Sequence, residues 1–333
     1  MVGQYNECRI MPTRRGFIAG AAGSLTLRAG LAESDTVRAV VAADGSGDFA
    51  SVQRAVDHVL DRGPSTVTRV ILEIRAGVYR ERVKIPRDRP NLTLRGADAA
   101  STLIAASMSA GQAGGTFFSP IVEIDGDGFA AENISFENTF GTGSQAVALS
   151  IHSDRAVFSR CRFLGWQDTL YAASGRQYYR DCRIEGHVDF IFGNAAAVFD
   201  HCEVHSRASG YVAAQSRTRP DELTGFVFRD CRLTGAPDAQ VFLARPWRSC
   251  SRVVFVDCWM GRQIRAEGWN NWGNPANEET AWFGEFGCVG PGATPEKRAH
   301  WARTITPAEA ASFQPVVFLR GTDDWHPPGI PTR

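Results

Sequence analysis

The 333-residue sequence contains no run of about 18 unbroken apolar residues, so it predicts no membrane span. It also has no excess of charge, because 36 basic residues balance 36 acidic residues. We therefore expect neither nucleic acid nor an anionic membrane as the default partner. A glycine-rich stretch from Asp44 to Phe49 lacks the Lys-Ser/Thr pair of a phosphate-binding loop, which excludes a nucleotide site of that kind.

What the chain has in quantity is turn and strand formers. Thirty-three glycines and 20 phenylalanines accompany many Val and Ile residues, a composition that favours a β-rich protein with many turns. One helix is predicted near the start, where Ser51 is a candidate N-cap. Its apolar face consists of Val52, Ala55, Val56, Val59 and Leu60. We interpret it as a cap on the structure that follows.

The N-terminus has the pattern of an export signal. Arg14 and Arg15 precede an Ala- and Gly-rich apolar run that ends near Ala32, although Arg28 interrupts it. The paired arginines followed by Phe17 and Ile18 resemble a bacterial twin-arginine signal. We predict a cleaved signal over residues 1–32 and one mature domain over residues 33–333, exported to the bacterial periplasm or beyond the cell. A disordered start with chance arginines is the alternative.

Short strands separated by turns then follow for about two hundred residues, and five of them share a repeat. Each copy has an aromatic residue, two spacers, a cysteine, one spacer and an apolar residue. The cysteines are Cys161, Cys182, Cys202, Cys231 and Cys258, at steps of 21, 20, 29 and 27 residues. A propeller blade needs roughly 40 residues or more. The repeat therefore predicts a single-stranded parallel β-helix with uneven loops that form a cleft.

Stacked coils bring equivalent cysteines about 4.8 Å apart, inside the range of about 4.4–6.8 Å that permits a disulfide. Buried thiols that fill a ladder as small apolar groups explain most of these residues. In an exported protein one adjacent pair could bridge, and Cys182 with Cys202 is our candidate. The irregular spacing without a histidine partner argues against zinc.

Two aspartates lie one coil apart in this repeat. Asp168 and Asp189 are separated by 21 residues, so a β-helix would place one above the other. Two stacked carboxylates repel, and one should keep its proton at neutral pH while the other stays ionised. Such a pair supplies an acid and a nucleophile or base in one place. A bound Ca²⁺ between them is the alternative.

Further polar residues are predicted to converge on this pair. Gln145 comes one coil before Asp168, and Gln167 is its neighbour in sequence. Their amide N–H groups could stabilise an oxyanion formed when a carbonyl is attacked. Arg245 offers a fork that holds a carboxylate. Taken singly, each of these residues is commonly an ordinary hydrogen-bonding or surface group.

Four sequence blocks resemble the signature blocks of the pectin methylesterases. They are Gln-Ala-Val-Ala-Leu from Gln145, Gly-Trp-Gln-Asp-Thr-Leu-Tyr from Gly165, Gly-His-Val-Asp-Phe-Ile-Phe-Gly-Asn-Ala from Gly186, and Ala-Arg-Pro-Trp from Ala244. The similarity extends over nearly all the mature chain, and the export signal suggests the bacterial type. The resemblance implies a right-handed parallel β-helix that needs no metal or organic cofactor. It also implies methyl-esterified pectin as the partner, and we expect a monomer.

The resemblance also implies residue roles. The aspartate matching Asp189 is the family's nucleophile toward the C6 methyl ester, and the one matching Asp168 is the general acid and then the base. The glutamines form the oxyanion hole, and the arginine orients the nucleophile. The substrate-binding residues match Val188, Tyr171, Phe192, Trp247 and Trp269. Core packing is the alternative for Phe192, and Trp272 is predicted to be core.

Departures from the family pattern are few. Ala244 stands where glycine is usual, and Trp166 where tyrosine is common. The alternatives to a pectinesterase are an esterase or thioesterase-like protein with another substrate, and a non-catalytic polysaccharide-binding β-helix. Hydrolysis or lysis of the polymer chain is less consistent, since a glycosidase has no use for the glutamine pair.

Overall fold

The computed structural model describes residues 36–58 and 69–330. Over these residues the chain winds into a right-handed parallel β-helix, whose successive coils each contribute strands to parallel sheets. The predicted fold class is confirmed. The predicted export signal, residues 1–32, lies outside the described residues. Within the described ranges, no helix is long and apolar enough to cross a membrane.

In the described part of the chain the strands form three sheets, here called sheets A, B and C. Sheet A has eleven strands, in spatial order Val37–Val41, Val70–Ile74, Leu92–Gly96, Ala130–Glu132, Ala156–Ser159, Arg176–Arg180, Ala196–Asp200, Gly225–Arg229, Arg252–Val256, Trp282–Phe286 and Arg303–Thr304. Sheet B has eight, Gly77–Tyr79, Thr102–Ala106, Ser135–Asn138, Arg162–Leu164, Arg183–Gly186, Glu203–Ser206, Arg232–Gly235 and Trp259–Met260. Sheet C has seven, Val83–Ile85, Val122–Ile124, Leu149–Ile151, Leu170–Ala172, Ile191–Gly193, Gly210–Gln215 and Val241–Pro246.

Helices are short and lie outside the coils. The α-helices are Val52–His58, Ala110–Ala113, Ala276–Thr280, Pro307–Ser312 and Pro315–Phe318, and the 3₁₀ helices are Thr116–Phe118 and Pro295–Lys297. The first is the predicted cap helix, with Val52, Ala55 and Val56 buried. Its N-terminus is capped as expected, because the Arg54 amide donates to Ser51 Oγ at 3.3 Å.

The repeat corresponds to the corner between sheets A and B. Its aromatic residues stack in the core, for example Phe158 on Tyr179 at 4.9 Å and Phe228 on Phe255 at 4.5 Å between ring centres. The residue before each cysteine turns the chain with a left-handed backbone, at φ of 49–54° for Arg160, Asp181, His201, Asp230 and Asp257. One left-handed residue per coil therefore makes the bend that separates the two sheets.

The five cysteines of the repeat are buried, and the ladder continues one coil further than the sequence predicts, to the half-buried Cys288. The structure contradicts the proposed Cys182–Cys202 disulfide, because both residues are free thiols. Each of these two thiols lies within hydrogen-bonding distance of a nearby backbone carbonyl oxygen. Cys182 Sγ lies 3.3 Å from the Arg180 oxygen, and Cys202 Sγ lies 3.5 Å from the Tyr179 oxygen. The thiols therefore fill the ladder as small apolar groups, which is the alternative to a disulfide that the sequence also allowed.

The C-terminal segment covers the outer face of sheet A. Ile305, Ala310, Phe313 and Leu319 are buried against sheet residues that include Val198, Val227 and Val254. The later strands of sheet A are therefore covered on both faces, which fits their runs of apolar residues, whereas the first strands carry partly exposed ion pairs such as Arg95 with Glu132.

Candidate active site

A cleft lies on the outer face of sheet C. Outward positions of successive strands are in register, and Tyr171, Phe192, Ala214 and Arg245 follow one another across the sheet. The cavity above them has a volume of about 350 Å³. Its lining brings together Gln145, Gln167, Asp168, Asp189 and Arg245 with the rings of Phe117, Phe192, Trp247 and Trp272.

The two aspartates occupy equivalent places in adjacent coils. Each lies two residues before a strand of sheet C, and those strands pair with Leu170 opposite Ile191, an offset of 21 residues. The Asp168 amide donates to the Val188 oxygen at 3.1 Å. Both aspartates have left-handed backbones, at φ of 64° for Asp168 and 49° for Asp189. Aspartate tolerates this region better than most residues, and such conformations are often found at functional sites.

Arg245 holds Asp189 through a bidentate ion pair. Its Nε donates to Oδ1 at 2.8 Å and its Nη2 to Oδ2 at 2.5 Å. Parallel N–H groups of this kind fix the carboxylate in position as well as in charge. Because both oxygens of Asp189 accept from a cation, the arrangement suits an ion pair better than a Ca²⁺ site.

Burial and charge separate the protonation of the two aspartates. Burial, and then the charge of Asp189, raises the pKa of Asp168 to about 8, against a smaller opposing effect of Arg245. Burial also raises the pKa of Asp189, but the hydrogen bonds and charge of Arg245 oppose it. The proton of the pair therefore resides on Asp168 at neutral pH, and Asp189 carries the charge.

Two amides face the same cavity. Gln145 and Gln167 are half-buried and line it beside the aspartates. Their backbones are linked from coil to coil, since the Ala146 amide donates to the Gln167 oxygen at 3.1 Å. Among the described residues neither side-chain amide donates to another protein group, so these N–H groups are free to donate to a bound ligand.

Aromatic rings form the walls and floor of the cleft. Tyr171 stacks on Phe192 at 4.6 Å, and Phe192 packs against Trp247 at 5.9 Å between ring centres. Phe117, from the 3₁₀ helix, lies 5.1 Å from Tyr171 and 6.3 Å from Trp247. Phe192 and Trp247 thus line the cavity, whereas Tyr171 lies beside it, packed against Phe192 and Phe117.

Two predicted substrate-binding positions do not reach the cleft. Trp269 is only 2% exposed, with its ring 5.9 Å from Phe255 and 5.0 Å from Phe283 in the core. Trp272, predicted to be core, is 38% exposed and lines the cavity. The structure therefore contradicts the cleft position predicted for Trp269 and the core position predicted for Trp272. Val188 is half-buried beside Gly210 and is not part of the cavity lining.

The sequence carried a weak signal for the residues that were missed. Trp272 follows two asparagines and precedes Gly273, a composition typical of a turn that projects a side chain. In the structure its amide donates to Asn270 Oδ1 at 2.8 Å, and its φ is 60°. Phe117, which follows Gly114 and Gly115, was not among the predicted substrate-binding residues.

A carboxylate held by Arg245, beside a carboxyl group with a raised pKa and facing free amides, is an arrangement suited to attack on an ester carbonyl. Comparison with known proteins identifies the family. A family model described as Pectinesterase matches residues 38–322, and the chain belongs to the pectinesterase family. It is a carboxylic ester hydrolase that acts on the methyl esters of pectin.

Curated relatives cover most of the chain. Pectinesterase 31 of Arabidopsis thaliana is 42% identical over 296 residues, which are 85% of this chain and 92% of that protein. A pectinesterase of Daucus carota is 39% identical over 302 residues, 86% of this chain and 94% of that protein. Both are plant proteins, so these relatives do not support the expectation of a bacterial type.

Solved structures agree in fold. The pectin methylesterase from carrot superimposes with a TM-score of 0.81 at 38% identity, covering 86% of this chain and 93% of that one. PemA from Erwinia chrysanthemi gives a TM-score of 0.73 at 28% identity, covering 88% and 98% respectively.

Proposed function

We propose that this pectinesterase works through Asp189 as nucleophile and Asp168 as general acid and base. The observation that carries the proposal is the bidentate pairing of Asp189 with Arg245 next to a carboxyl group whose pKa is raised to about 8. One carboxylate is kept charged and oriented, while its neighbour keeps a proton to give away.

The proposed reaction has two halves. An Asp189 oxygen attacks the ester carbonyl carbon, and the negative charge on the carbonyl oxygen is stabilised by the amides of Gln145 and Gln167. The C–O bond to the methoxy group breaks as Asp168 protonates the leaving oxygen, which departs as methanol. Water then attacks the resulting anhydride and gives a proton to Asp168, which releases the free carboxylate of pectin and restores Asp189.

The ring-lined cleft supports a sugar polymer as substrate. Tyr171, Phe192, Trp247 and the exposed Trp272 offer apolar faces beside the reacting groups. Stacking of sugar C–H faces on such rings would position the ester over Asp189. Family membership does not favour an ester of another kind or a non-catalytic binding protein.

The reaction is tested on highly methylated pectin, with and without a chelator. We expect methanol release without a fall in viscosity and without unsaturated chain ends, and no effect of the chelator. Chain cleavage, or no methanol from any pectin, would contradict the proposal.

The nucleophile is tested by Asp189→Ala. This variant should release no methanol above background while its thermal unfolding stays cooperative. Asp238→Ala, at an exposed position, is the matched control and should keep full activity. Substantial activity in Asp189→Ala would refute the assignment.

We further propose export as a monomer from a bacterial cell, by the twin-arginine signal in residues 1–32. The support is the Arg14-Arg15 pair and the apolar run that follows it. Replacing both arginines by lysine should retain the protein in the cytoplasm of a bacterial host. Export that continues in that variant would contradict the twin-arginine route.

A further inference from the structure

Arg245 is stacked between two aromatic rings. Its guanidinium carbon lies 3.9 Å from the ring centre of Tyr211 and 3.7 Å from that of Trp272. A guanidinium stacks on aromatic faces while its N–H groups point outward in its own plane. The rings therefore cover its faces, and its edge remains for the two hydrogen bonds to Asp189.

The two rings differ in how firmly they are held. Trp272 lies in a turn and is 38% exposed. Tyr211 belongs to the strand Gly210–Gln215, and its amide donates to the His187 oxygen at 2.8 Å. Its ring also stacks on Phe242 at 5.5 Å with an interplanar angle of 11°. Tyr211 is the fixed surface of the sandwich.

We propose that Tyr211 is a positioning residue for ester hydrolysis, because its ring keeps the Arg245 guanidinium in the plane from which it pairs with Asp189. Tyr211 does not line the substrate cavity, so it acts through Arg245. The inference depends on the proposed roles of Arg245 and Asp189.

The pairing has a consequence for pH dependence. The charged and titratable groups that face Asp189 are Arg245, Asp168 and His187. Arg245 lowers the pKa of Asp189 against the effect of burial. Without the Tyr211 ring, Arg245 gains freedom to turn toward water, and the pKa of Asp189 should rise. A smaller fraction of the enzyme would then carry the nucleophilic carboxylate at acidic pH.

The test measures methanol release across pH for Tyr211→Ala and Tyr211→Phe. For Tyr211→Ala we expect kcat to fall about tenfold, equivalent to about 1.4 kcal/mol, with KM nearly unchanged. We also expect the acid limb of kcat/KM to move to higher pH. Tyr211→Phe keeps the ring and should retain both values.

The matched control is Trp259→Ala, which removes a ring that Arg232 covers at 4.2 Å on sheet B, away from the cleft. It should leave kcat and the acid limb as in the wild type. An unmoved acid limb in Tyr211→Ala, or a loss in Tyr211→Phe equal to that in Tyr211→Ala, would overturn the proposal. Failure of the catalytic scheme itself would appear separately, as activity retained by Asp189→Ala.

Discussion

At the scale of single residues, the site depends on a carboxyl group kept in an unfavourable place. Asp168 is buried beside Asp189, and its pKa is raised to about 8. A buried carboxyl group lowers the stability of the folded state wherever the unfolded chain would ionise it. The chemistry and the stability of the enzyme are therefore in opposition at this position.

Asp168→Asn should increase stability while removing activity. In the unfolded chain Asp168 ionises near pH 4, whereas in the folded protein it keeps its proton up to about pH 8. The wild type thus loses stability relative to the variant as pH rises from 4 to 8, by about 1.4 kcal/mol per unit at most. Thermal unfolding at pH 5 and pH 8 should show the variant's advantage growing.

Asp238→Asn is the control, because that carboxylate is exposed. Its unfolding temperature should follow that of the wild type at both pH values. An Asp168→Asn advantage that is equal at pH 5 and pH 8 would mean that the buried proton does not carry the effect.

At the scale of elements, the sequence predicts the register of successive coils well. The spacing of Cys161, Cys182 and Cys202 indicates the register, and one register places Asp168 over Asp189. The loops are different, because no repeat constrains them. Trp269 and Trp272 are three residues apart in one irregular segment, and the spacing of the repeat does not predict the turn in which the Trp272 amide donates to Asn270 Oδ1. The spacing of the repeat also did not predict a role for Tyr211, because Arg245 and Phe242, which contact its ring, belong to another strand.

The corner between sheets A and B allows a direct test of the coil. Asp230 is exposed with φ of 49°, a conformation that a β-branched residue adopts at a cost of about 1–2 kcal/mol. Asp230→Val should therefore lower the free energy of unfolding in urea by about that amount, whereas Asp230→Gly should not.

Asp238→Val serves as control for this change, because Asp238 is exposed but is not among the residues with positive φ. Its unfolding free energy should stay within about 0.5 kcal/mol of the wild type. Equal losses in Asp230→Val and Asp238→Val would show that the corner conformation is not the cause.

At the scale of the whole molecule, stability and catalysis lie on different faces. The cleft is on sheet C, whereas the C-terminal segment is attached to the outer face of sheet A. Arg176, at the start of a sheet A strand, joins the coils to the C-terminal segment. Its Nη2 donates to Asp154 Oδ2 at 2.6 Å and to Asp323 Oδ2 of the C-terminal segment at 2.9 Å. Trp325 lies against the same guanidinium, 5.4 Å from ring centre to Arg176 Cζ.

Leu319→Ala should destabilise the protein without changing its chemistry. Leu319 is fully buried in the cluster that covers sheet A, so its truncation should cost about 2–5 kcal/mol in the free energy of unfolding. Because no residue of that cluster lines the cleft, kcat and KM for methanol release should match the wild type below the unfolding transition. Val317→Ala, at a side chain 52% exposed, should change neither stability nor kinetics by a measurable amount. A fall in kcat for Leu319→Ala at a temperature where it is fully folded would mean that the covering segment influences the geometry of the cleft.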